Sequence, residues 1–494
     1  MMTDININSP KYNITDVFGE VLSSHTQFNL ELWNVFTEAY PIWLSTASEY
    51  NKSWKNLSEL DKVLRTKFRK TLDEKFRDQR FVNSLSDIVS SYSKLAKIMH
   101  LGEMYQHLSN RSSMWNNQFA EPIRDTLYRT PSHKVCRLEK YSLFRYDRLR
   151  PSSISTMYQN ADNSARIQNQ DRSKEVLSSP VLIIYAFINR HYILDLLPQV
   201  SVVRTLLNQG DGAEDIELDI FATDWGTPSA YDKSLTLGHF VNNYMDKSVD
   251  FIRKTTRSDK VSLFGYCWGG DLALVYAALH PKKVNSLITV ATPGDFDLDN
   301  SLLSVWTRAM KEKYLLDAFG NLPGMALNAA FILRNPVEYG HKYFHFFEQP
   351  HDLESVTEFL ATETWLRDSP PIIGEIYREF VEYCYKQNLL IKNRMKIQDT
   401  DGVNKDHTTT INLKNIDMPF LNIVAEQDDL VAPESSKALN NALTESYDKS
   451  LMEFKSGHVG LMIGKRAHKE IWPKVREWIS KHSNSSKLFD MYIS

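Results

Sequence analysis

The spacing of apolar residues divides the chain into stretches with different predicted structure. Between residues 1 and 130, apolar and aromatic residues recur every three or four positions, as at Phe28, Leu32 and Phe36, which is typical of amphipathic helices. Charged segments such as residues 62–70 lie between these periodic stretches. We therefore expect residues 1–130 to form a helical amino-terminal region, as a bundle or a docking surface rather than a catalytic unit.

From residue 131 the pattern changes to strands that alternate with helices. Residues 136–147 alternate as in an antiparallel edge, and residues 152–179 are polar enough to predict a loop. Four apolar runs typical of buried strands follow, with helical spacing between them: 180–188, 216–226, 259–264 and 284–292. This order predicts an α/β fold whose mostly parallel sheet is covered by helices on both faces.

The alternation stops between residues 297 and 413 and returns with a buried strand at 420–425. The intervening stretch is helix-like and rich in aromatic residues. An insertion between two late strands lies at the carboxyl ends of the strands, where open α/β sheets place their active sites. We expect residues 131–296 and 414–494 to form a catalytic core and residues 297–413 a cap; a separate, remote helical domain is the alternative. The aromatic residues would line a water-poor tunnel or form the cap's own core.

Composition excludes several function classes. The 494 residues include 58 Lys+Arg and 61 Asp+Glu, a net charge of −3, so no global basic field would hold nucleic acid. Three cysteines are too few for a disulfide scaffold and suit a reducing cytosol. The amino end lacks a signal-peptide pattern, and the longest strongly apolar stretch, 181–188, is shorter than the roughly 20 residues of a membrane span. We expect a cytoplasmic protein without a transmembrane segment.

A glycine-rich hexapeptide, Gly265-Tyr266-Cys267-Trp268-Gly269-Gly270, joins a predicted strand to a predicted helix. This is the setting of a nucleophile elbow, with Cys in the place of Ser. The glycines remove side chains that would collide in the sharp turn. The sulfur of Cys267 would project near the positive end of the helix, which favours a thiolate. We expect the backbone N–H of Trp268 to be one oxyanion donor and that of Ile188, after the preceding strand, to be the second.

A nucleophilic cysteine needs a nearby base. In this kind of fold the chain order is nucleophile, acid, histidine, and Asp428 and Asp429 both follow the buried strand at 420–425. His458 lies between small residues after the next predicted strand. The sequence predicts a triad of Cys267, Asp428 and His458, with Asp429 as the competing acid. Clustered metal ligands are not found in the sequence, so we expect no metal and no redox cofactor.

Several segments resemble polyhydroxyalkanoate synthases, in particular the catalytic subunit of the class III type. They are residues 180–198, 223–241, 262–281, 368–393, 418–433 and 456–460. In this resemblance the family's Cys, Asp and His map to Cys267, Asp428 and His458. The chain differs in having Asp429 where the family commonly has His. Its amino-terminal region also exceeds that of the short class III subunits and is vaguely similar to that of the longer, single-subunit class.

The resemblance implies an α/β-hydrolase fold and a polymerase that joins (R)-3-hydroxyacyl groups, of short chain such as 3-hydroxybutyryl, into a polyester. CoA would be the carrier and the product rather than a bound cofactor. The growing polyester, at a granule surface, would be a partner. Whether the chain forms a homodimer or needs a second synthase subunit is left open. Two alternatives remain: a thioesterase or esterase with the same triad, and a granule-associated protein without catalysis.

Overall fold

The computed structural model describes residues 20, 23, 24, 27, 30, 31, 70, 73–98, 130–147, 178–208, 216–335, 339, 342, 343, 346, 353–399 and 407–483. Most of the amino-terminal helical region and residues 152–177 of the predicted loop lie outside these ranges. Within them, a strand begins at Ser178, two residues before the predicted strand at 180–188.

The described ranges contain twelve strands: β1 (Ser132–Leu138), β2 (Tyr141–Tyr146), β3 (Ser178–Ile184), β4 (Asp195–Leu197), β5 (Val200–Ser201), β6 (Glu217–Asp224), β7 (Val261–Tyr266), β8 (Val284–Val290), β9 (Lys396–Gln398), β10 (Thr408–Thr410), β11 (Phe420–Ala425) and β12 (Lys449–Phe454). Eight form one sheet in the order β1-β2-β6-β3-β7-β8-β11-β12. β1 pairs antiparallel with β2, as their alternating pattern predicts, and β2 pairs antiparallel with β6. The other six strands of this sheet, β6, β3, β7, β8, β11 and β12, run parallel to one another. This is the predicted α/β-hydrolase arrangement.

The helices with defined bounds are α1 (Gln79–Ile98), α2 (Val202–Leu207), α3 (Asp246–Thr256), α4 (Trp268–Leu279), α5 (Leu302–Ala309), α6 (Glu312–Phe319), α7 (Gly324–Arg334), α8 (Leu353–Arg367), α9 (Gly374–Phe380), α10 (Pro433–Ala442), α11 (Gly460–Ile463), α12 (Lys465–Glu470) and α13 (Trp472–Lys481). Two π-helical turns, His239–Met245 and Val381–Lys386, adjoin α3 and α9. Among the described residues, no helix combines the length and the hydropathy that a membrane span requires.

The core of the molecule lies around the parallel strands. Every residue of β7, β8 and β11 is buried, because these strands are covered on both faces. Eleven of the twelve residues of α4 are also buried, so this helix has no solvent-facing stripe. The segment that carries the predicted nucleophile is therefore held by packing on all sides.

The predicted insertion falls between β8 and β11, which pair directly in the sheet with Phe420 opposite Leu287. It contains α5 to α9. Helix α1, from the amino-terminal region, packs against the first of them through an apolar cluster that includes Phe81 and Trp306. Helix α1 of the amino-terminal region thus lies on the inserted helices.

Candidate active site

Cys267 lies in a sharp turn between β7 and α4. Its backbone has φ 54° and ψ −131°, a strained conformation for a residue other than glycine. The turn is fixed by two backbone hydrogen bonds: the Cys267 N–H donates to the Val290 carbonyl at 2.9 Å, and the Gly270 N–H donates to the Cys267 carbonyl at 2.8 Å. The predicted elbow is present.

The elbow glycines are required by close backbone contacts. A Cβ atom on Gly265 would lie 2.7 Å from the backbone nitrogen of Gly270. A Cβ atom on Gly269 would lie 2.8 Å from the carbonyl carbons of Ile184 and Tyr185, at the end of β3. Both distances are shorter than ordinary carbon contacts. A side chain at either position would displace α4 from the sheet.

Asp428 and His458 lie in loops after neighbouring strands and meet above the sheet. The His458 Nδ1–H donates to Oδ2 of Asp428 at 2.7 Å, and both residues are buried. The other carboxylate oxygen of Asp428 accepts from the backbone N–H groups of Leu430 and Val431, each at 2.9 Å. These two bonds fix the carboxylate, and the carboxylate in turn orients the imidazole.

The imidazole also faces the elbow sulfur. Burial by itself would lower the pKa of His458, but the Asp428 carboxylate, the charge of Cys267 and hydrogen bonds to both side chains raise it to about 10. An imidazole in this setting takes and holds a proton readily. The three predicted residues are therefore brought together in the order Asp428, His458, Cys267, which is the arrangement of a catalytic triad.

The competing carboxylate has a different partner. Asp429 forms an ion pair with Arg334 of α7, and its backbone carbonyl accepts a second bond from the same guanidinium at 3.3 Å. Its side chain is 38% exposed, against 2% for Asp428. Asp429 thus connects the inserted helices to the core, whereas Asp428 faces the imidazole.

The two predicted oxyanion donors lie on adjacent segments. Trp268 is the first residue of α4, where a backbone N–H has no acceptor one turn earlier in the helix. Ile188 lies in the loop after β3 and is partly buried against the core. The ring of Phe187 lies 5.1 Å from that of Trp268, so this loop packs against the start of α4. Their role as a donor pair stays a prediction.

Two tyrosines at the site were not singled out by the sequence. The Tyr266 hydroxyl donates to the His458 carbonyl at 3.3 Å, and the two rings lie 5.0 Å apart. The Tyr385 hydroxyl, from the π-helical turn Val381–Lys386, accepts from the Trp268 indole N–H at 3.2 Å. Tyr266 stands next to the cysteine in the motif, which was an available signal. Tyr385 lies in the family-like segment 368–393, but no local pattern indicated its contact, because the contact joins positions 117 residues apart.

The other two cysteines lie elsewhere. Cys136 is in β1 at the sheet edge, and Cys384 is buried in the π-helical turn Val381–Lys386, where burial raises the pKa of its thiol. Within the described ranges, no group of three or more His, Cys, Asp or Glu side chains is placed to hold a metal ion.

Comparisons with known proteins identify the fold and the family. A family model of the alpha/beta hydrolase fold matches residues 179–465. A poly(3-hydroxyalkanoate) polymerase subunit PhaC from Haloarcula marismortui is 38% identical over 369 residues, covering 74% of this chain and 70% of the relative. A protein of the same name from Allochromatium vinosum is 34% identical over 353 residues, covering 71% of this chain and 89% of the relative.

Among solved structures, a soluble variant of monoglyceride lipase from Saccharomyces cerevisiae matches with a TM-score of 0.41 and 12% identity, covering 72% of this chain and 96% of that chain. The polymerase relatives and the family model together identify the family and the fold of this chain. The chain belongs to the poly(3-hydroxyalkanoate) polymerase family, within the alpha/beta hydrolase fold.

Proposed function

We propose that the chain polymerises (R)-3-hydroxyacyl-CoA into a polyester, with the acyl group carried as a thioester on Cys267. The observation that carries this proposal is the hydrogen bond from His458 to Asp428 beside the elbow cysteine, whose charge contributes to the raised pKa of the imidazole, in a chain whose relatives are named poly(3-hydroxyalkanoate) polymerases. The substrate we expect is of short chain, such as 3-hydroxybutyryl-CoA.

Acylation would begin with transfer of the Cys267 proton to His458. The thiolate attacks the thioester carbonyl carbon, while the N–H groups of Trp268 and Ile188 stabilise the oxyanion. The new C–S bond to Cys267 forms, the C–S bond to CoA breaks, and His458 returns the proton to the departing CoA thiolate. Since one thioester replaces another, the acyl group stays activated.

Elongation would use the hydroxyl of the next hydroxyacyl-CoA. Its oxygen attacks the acyl carbon on Cys267, an ester bond forms, and the C–S bond to Cys267 breaks. The hydroxyl proton moves, through His458 or Asp428, to the cysteine sulfur. Transfer of the lengthened chain back to Cys267, with release of CoA, completes a cycle that adds one monomer and yields one CoA.

The inserted helices support this proposal because they cover the elbow with aromatic side chains. The Phe380 ring stacks on that of Trp268 at 4.2 Å, and Tyr385 binds the same indole. Excluding water would protect the acyl-enzyme from hydrolysis. Residues 297–413 would then act as the cap of the catalytic core.

We further propose that the chain is a class III-like catalytic subunit. Its relatives from Haloarcula marismortui and Allochromatium vinosum are named as polymerase subunits, which supports a second subunit as a partner. The insoluble product would hold the enzyme at the surface of cytoplasmic polyester granules.

The test is incubation of the purified chain with 3-hydroxybutyryl-CoA, with CoA release, turbidity and the mass of the acylated protein followed together. We expect CoA release, insoluble polyester and an acyl adduct on Cys267. Cys267→Ala should lower CoA release by at least about 10³-fold. The matched control is Cys136→Ala, at the sheet edge, which should stay within about threefold of the parent.

Two results would contradict the proposal. Free hydroxy acid with CoA release but no polyester would identify a thioesterase instead. Unchanged CoA release by Cys267→Ala would show that Cys267 is not the nucleophile. A non-catalytic, granule-associated protein would then be the better interpretation of the chain.

A further inference from the structure

The loop after β3 is joined to the end of α8 by hydrogen bonds that the triad does not use. The Asn189 side-chain amide donates to the backbone carbonyls of Trp365 at 3.2 Å and Leu366 at 3.4 Å. In return, the Trp365 indole N–H donates to the Arg190 carbonyl at 2.8 Å. Asn189 and Trp365 are both buried. These three hydrogen bonds form a clamp between the loop and the inserted helix.

The clamp satisfies needs on both of its sides. Trp365 and Leu366 lie in the last turn of α8, where backbone carbonyls have no donor within the helix, and the Asn189 amide supplies one. Asn189 has φ 59°, a left-handed conformation that Asn adopts more readily than most other residues with a side chain. The sharp turn of the loop at Asn189 thus brings its amide against the end of the helix.

A second set of contacts follows on the next residues of the loop. The Arg190 guanidinium forms an ion pair with Asp368, directly after α8, at 3.3 Å. The Tyr192 hydroxyl donates to the other oxygen of the same carboxylate at 3.1 Å. The guanidinium also donates to the Gly226 carbonyl, in the segment after β6, at 2.9 Å. The loop is therefore tied at consecutive residues to the insertion and to the core.

The clamp lies next to a group of the proposed mechanism. Ile188, whose backbone N–H is the second oxyanion donor in that mechanism, directly precedes Asn189. A donor stabilises an oxyanion only when it is aimed at the position where the charge develops, and a displacement of about 1 Å can lower a rate by about 10²-fold. The contacts that hold Asn189 therefore also determine where the Ile188 N–H lies.

We propose that Asn189 is a positioning residue for acylation: through the clamp, the end of α8 holds the loop so that the Ile188 N–H faces the developing oxyanion. This inference rests on the proposed function and adds to it a coupling between the insertion and the oxyanion hole. The insertion then contributes to the rate of the chemical step as well as covering the site.

The test is the acylation rate of Asn189→Asp over a range of 3-hydroxybutyryl-CoA concentrations. A carboxylate has nearly the shape of the amide but cannot donate, so it would face the carbonyls of α8 without a hydrogen bond. We expect kcat for acylation to fall by about 10²-fold near pH 8, with KM within about threefold of the parent. Since a protonated carboxyl regains a donor, kcat relative to the parent should recover as the pH falls from about 8 to about 5. A loss caused by weakened packing alone has no such recovery.

Asn189→Gly is the second variant, for the case in which Asn189→Asp does not fold. Glycine adopts the same left-handed conformation but carries no amide, so kcat should fall by about tenfold at every pH. Gln199→Ala is the matched control. Its amide donates to Glu358 of the same helix at 3.4 Å, outside the loop, so its removal should change kcat by less than about twofold.

Hydrogen exchange, followed by mass spectrometry, measures the clamp without reference to activity. In both Asn189 variants, we expect faster exchange in residues 185–192 and 361–368 together, on the two sides of the clamp. Exchange in residues 420–442, which include β11 and α10, should stay as in the parent.

The outcomes separate the two proposals. An Asn189→Asp variant that folds and keeps the parent kcat, that raises KM alone, or that shows no recovery at low pH would overturn the positioning role while the Cys267 chemistry stands. Unchanged exchange on both sides would overturn the clamp. A parent chain that acquires no acyl adduct on Cys267 would overturn the proposed function and the positioning role with it, whatever the exchange shows.

Discussion

The elbow and the surface that covers it are built on different principles. In the elbow, Gly265–Gly270, the positions are set by the backbone: a strained φ at Cys267, two backbone hydrogen bonds and glycines with no room for a Cβ atom. On the covering surface, α9 and the turn Val381–Lys386, the contacts are made by side chains: the Phe380 ring stacks on Trp268, and the Tyr385 hydroxyl accepts a hydrogen bond from the Trp268 indole N–H.

This difference predicts which substitutions the site tolerates. A backbone constraint is broken by a single added carbon, because neighbouring main-chain atoms cannot move aside. A side-chain contact is weakened by substitution but leaves the fold in place. We therefore expect the largest losses of activity from substitutions of the core residues that hold the reacting groups. Substitutions of the inserted residues that pack on them should cause smaller losses.

The largest effect expected in this comparison is that of Asp428→Asn. Without the carboxylate, the imidazole loses both its orientation and the charge that stabilises its protonated form, so CoA release should fall by about 10³-fold or more. The neighbouring Asp429→Asn is the matched control. It removes the ion pair to Arg334 of the insertion and should stay within about threefold, because a partly exposed pair contributes little. Equal losses in the two variants would show that the acid was wrongly assigned.

The same pair of residues predicts a pH dependence of stability. The folded pKa of His458, about 10, lies above its unfolded value of about 6.5. Its contribution is therefore fully present below pH 6.5 and is lost as the pH rises through 10. The difference in the free energy of unfolding between the parent and Asp428→Asn should shrink over that window, each pKa unit of the shift corresponding to about 1.4 kcal/mol. Urea unfolding at pH 6 and pH 10 measures it, and a constant difference would contradict the ion pair.

Sequence reasoning found the parts of the site that local patterns define. The glycines around Cys267 and the order of strand, turn and helix were sufficient for the elbow, and the chain order was sufficient for His458. The pattern could not choose between Asp428 and Asp429. That choice depends on the turn after β11, where the N–H groups of Leu430 and Val431 fix one carboxylate and leave the other facing Arg334.

A smaller loss is expected when the elbow backbone is crowded. Gly269→Ala places a Cβ atom against the main chain at the end of β3, which should shift α4, lower CoA release by about 10²-fold and destabilise the fold by about 1–3 kcal/mol. Gly457→Ala is the control beside His458, because its Cβ atom would meet only an ordinary contact, 3.6 Å from the Gln427 carbonyl oxygen. Urea unfolding and CoA release measure both. A tolerated alanine at 269 would show that the elbow is less constrained than its backbone contacts indicate.

The covering surface was predicted only in outline. The aromatic composition of residues 297–413 indicated a cap, but not which rings reach the elbow. Phe380 and Tyr385 are far from Trp268 in sequence and meet it only because the insertion folds back over β7 and α4. Contacts of this kind depend on tertiary packing, which periodicity along the chain does not encode.

The smallest effect expected is at the hydrogen bond between Trp268 and Tyr385. Tyr385→Phe leaves the indole N–H buried without its acceptor, and Trp268→Phe removes the donor, so each should destabilise the fold. Their double variant should recover about 1 kcal/mol relative to the sum of the singles, measured as a double-mutant cycle in urea, with CoA release reduced by less than about fivefold. Pairing Tyr385→Phe with Trp478→Phe, whose indole binds Ser450 at the sheet edge, should instead be additive. If both pairs are additive, this bond does not hold the cap on the elbow, and the stacked Phe380 ring remains as the contact that would have to do so.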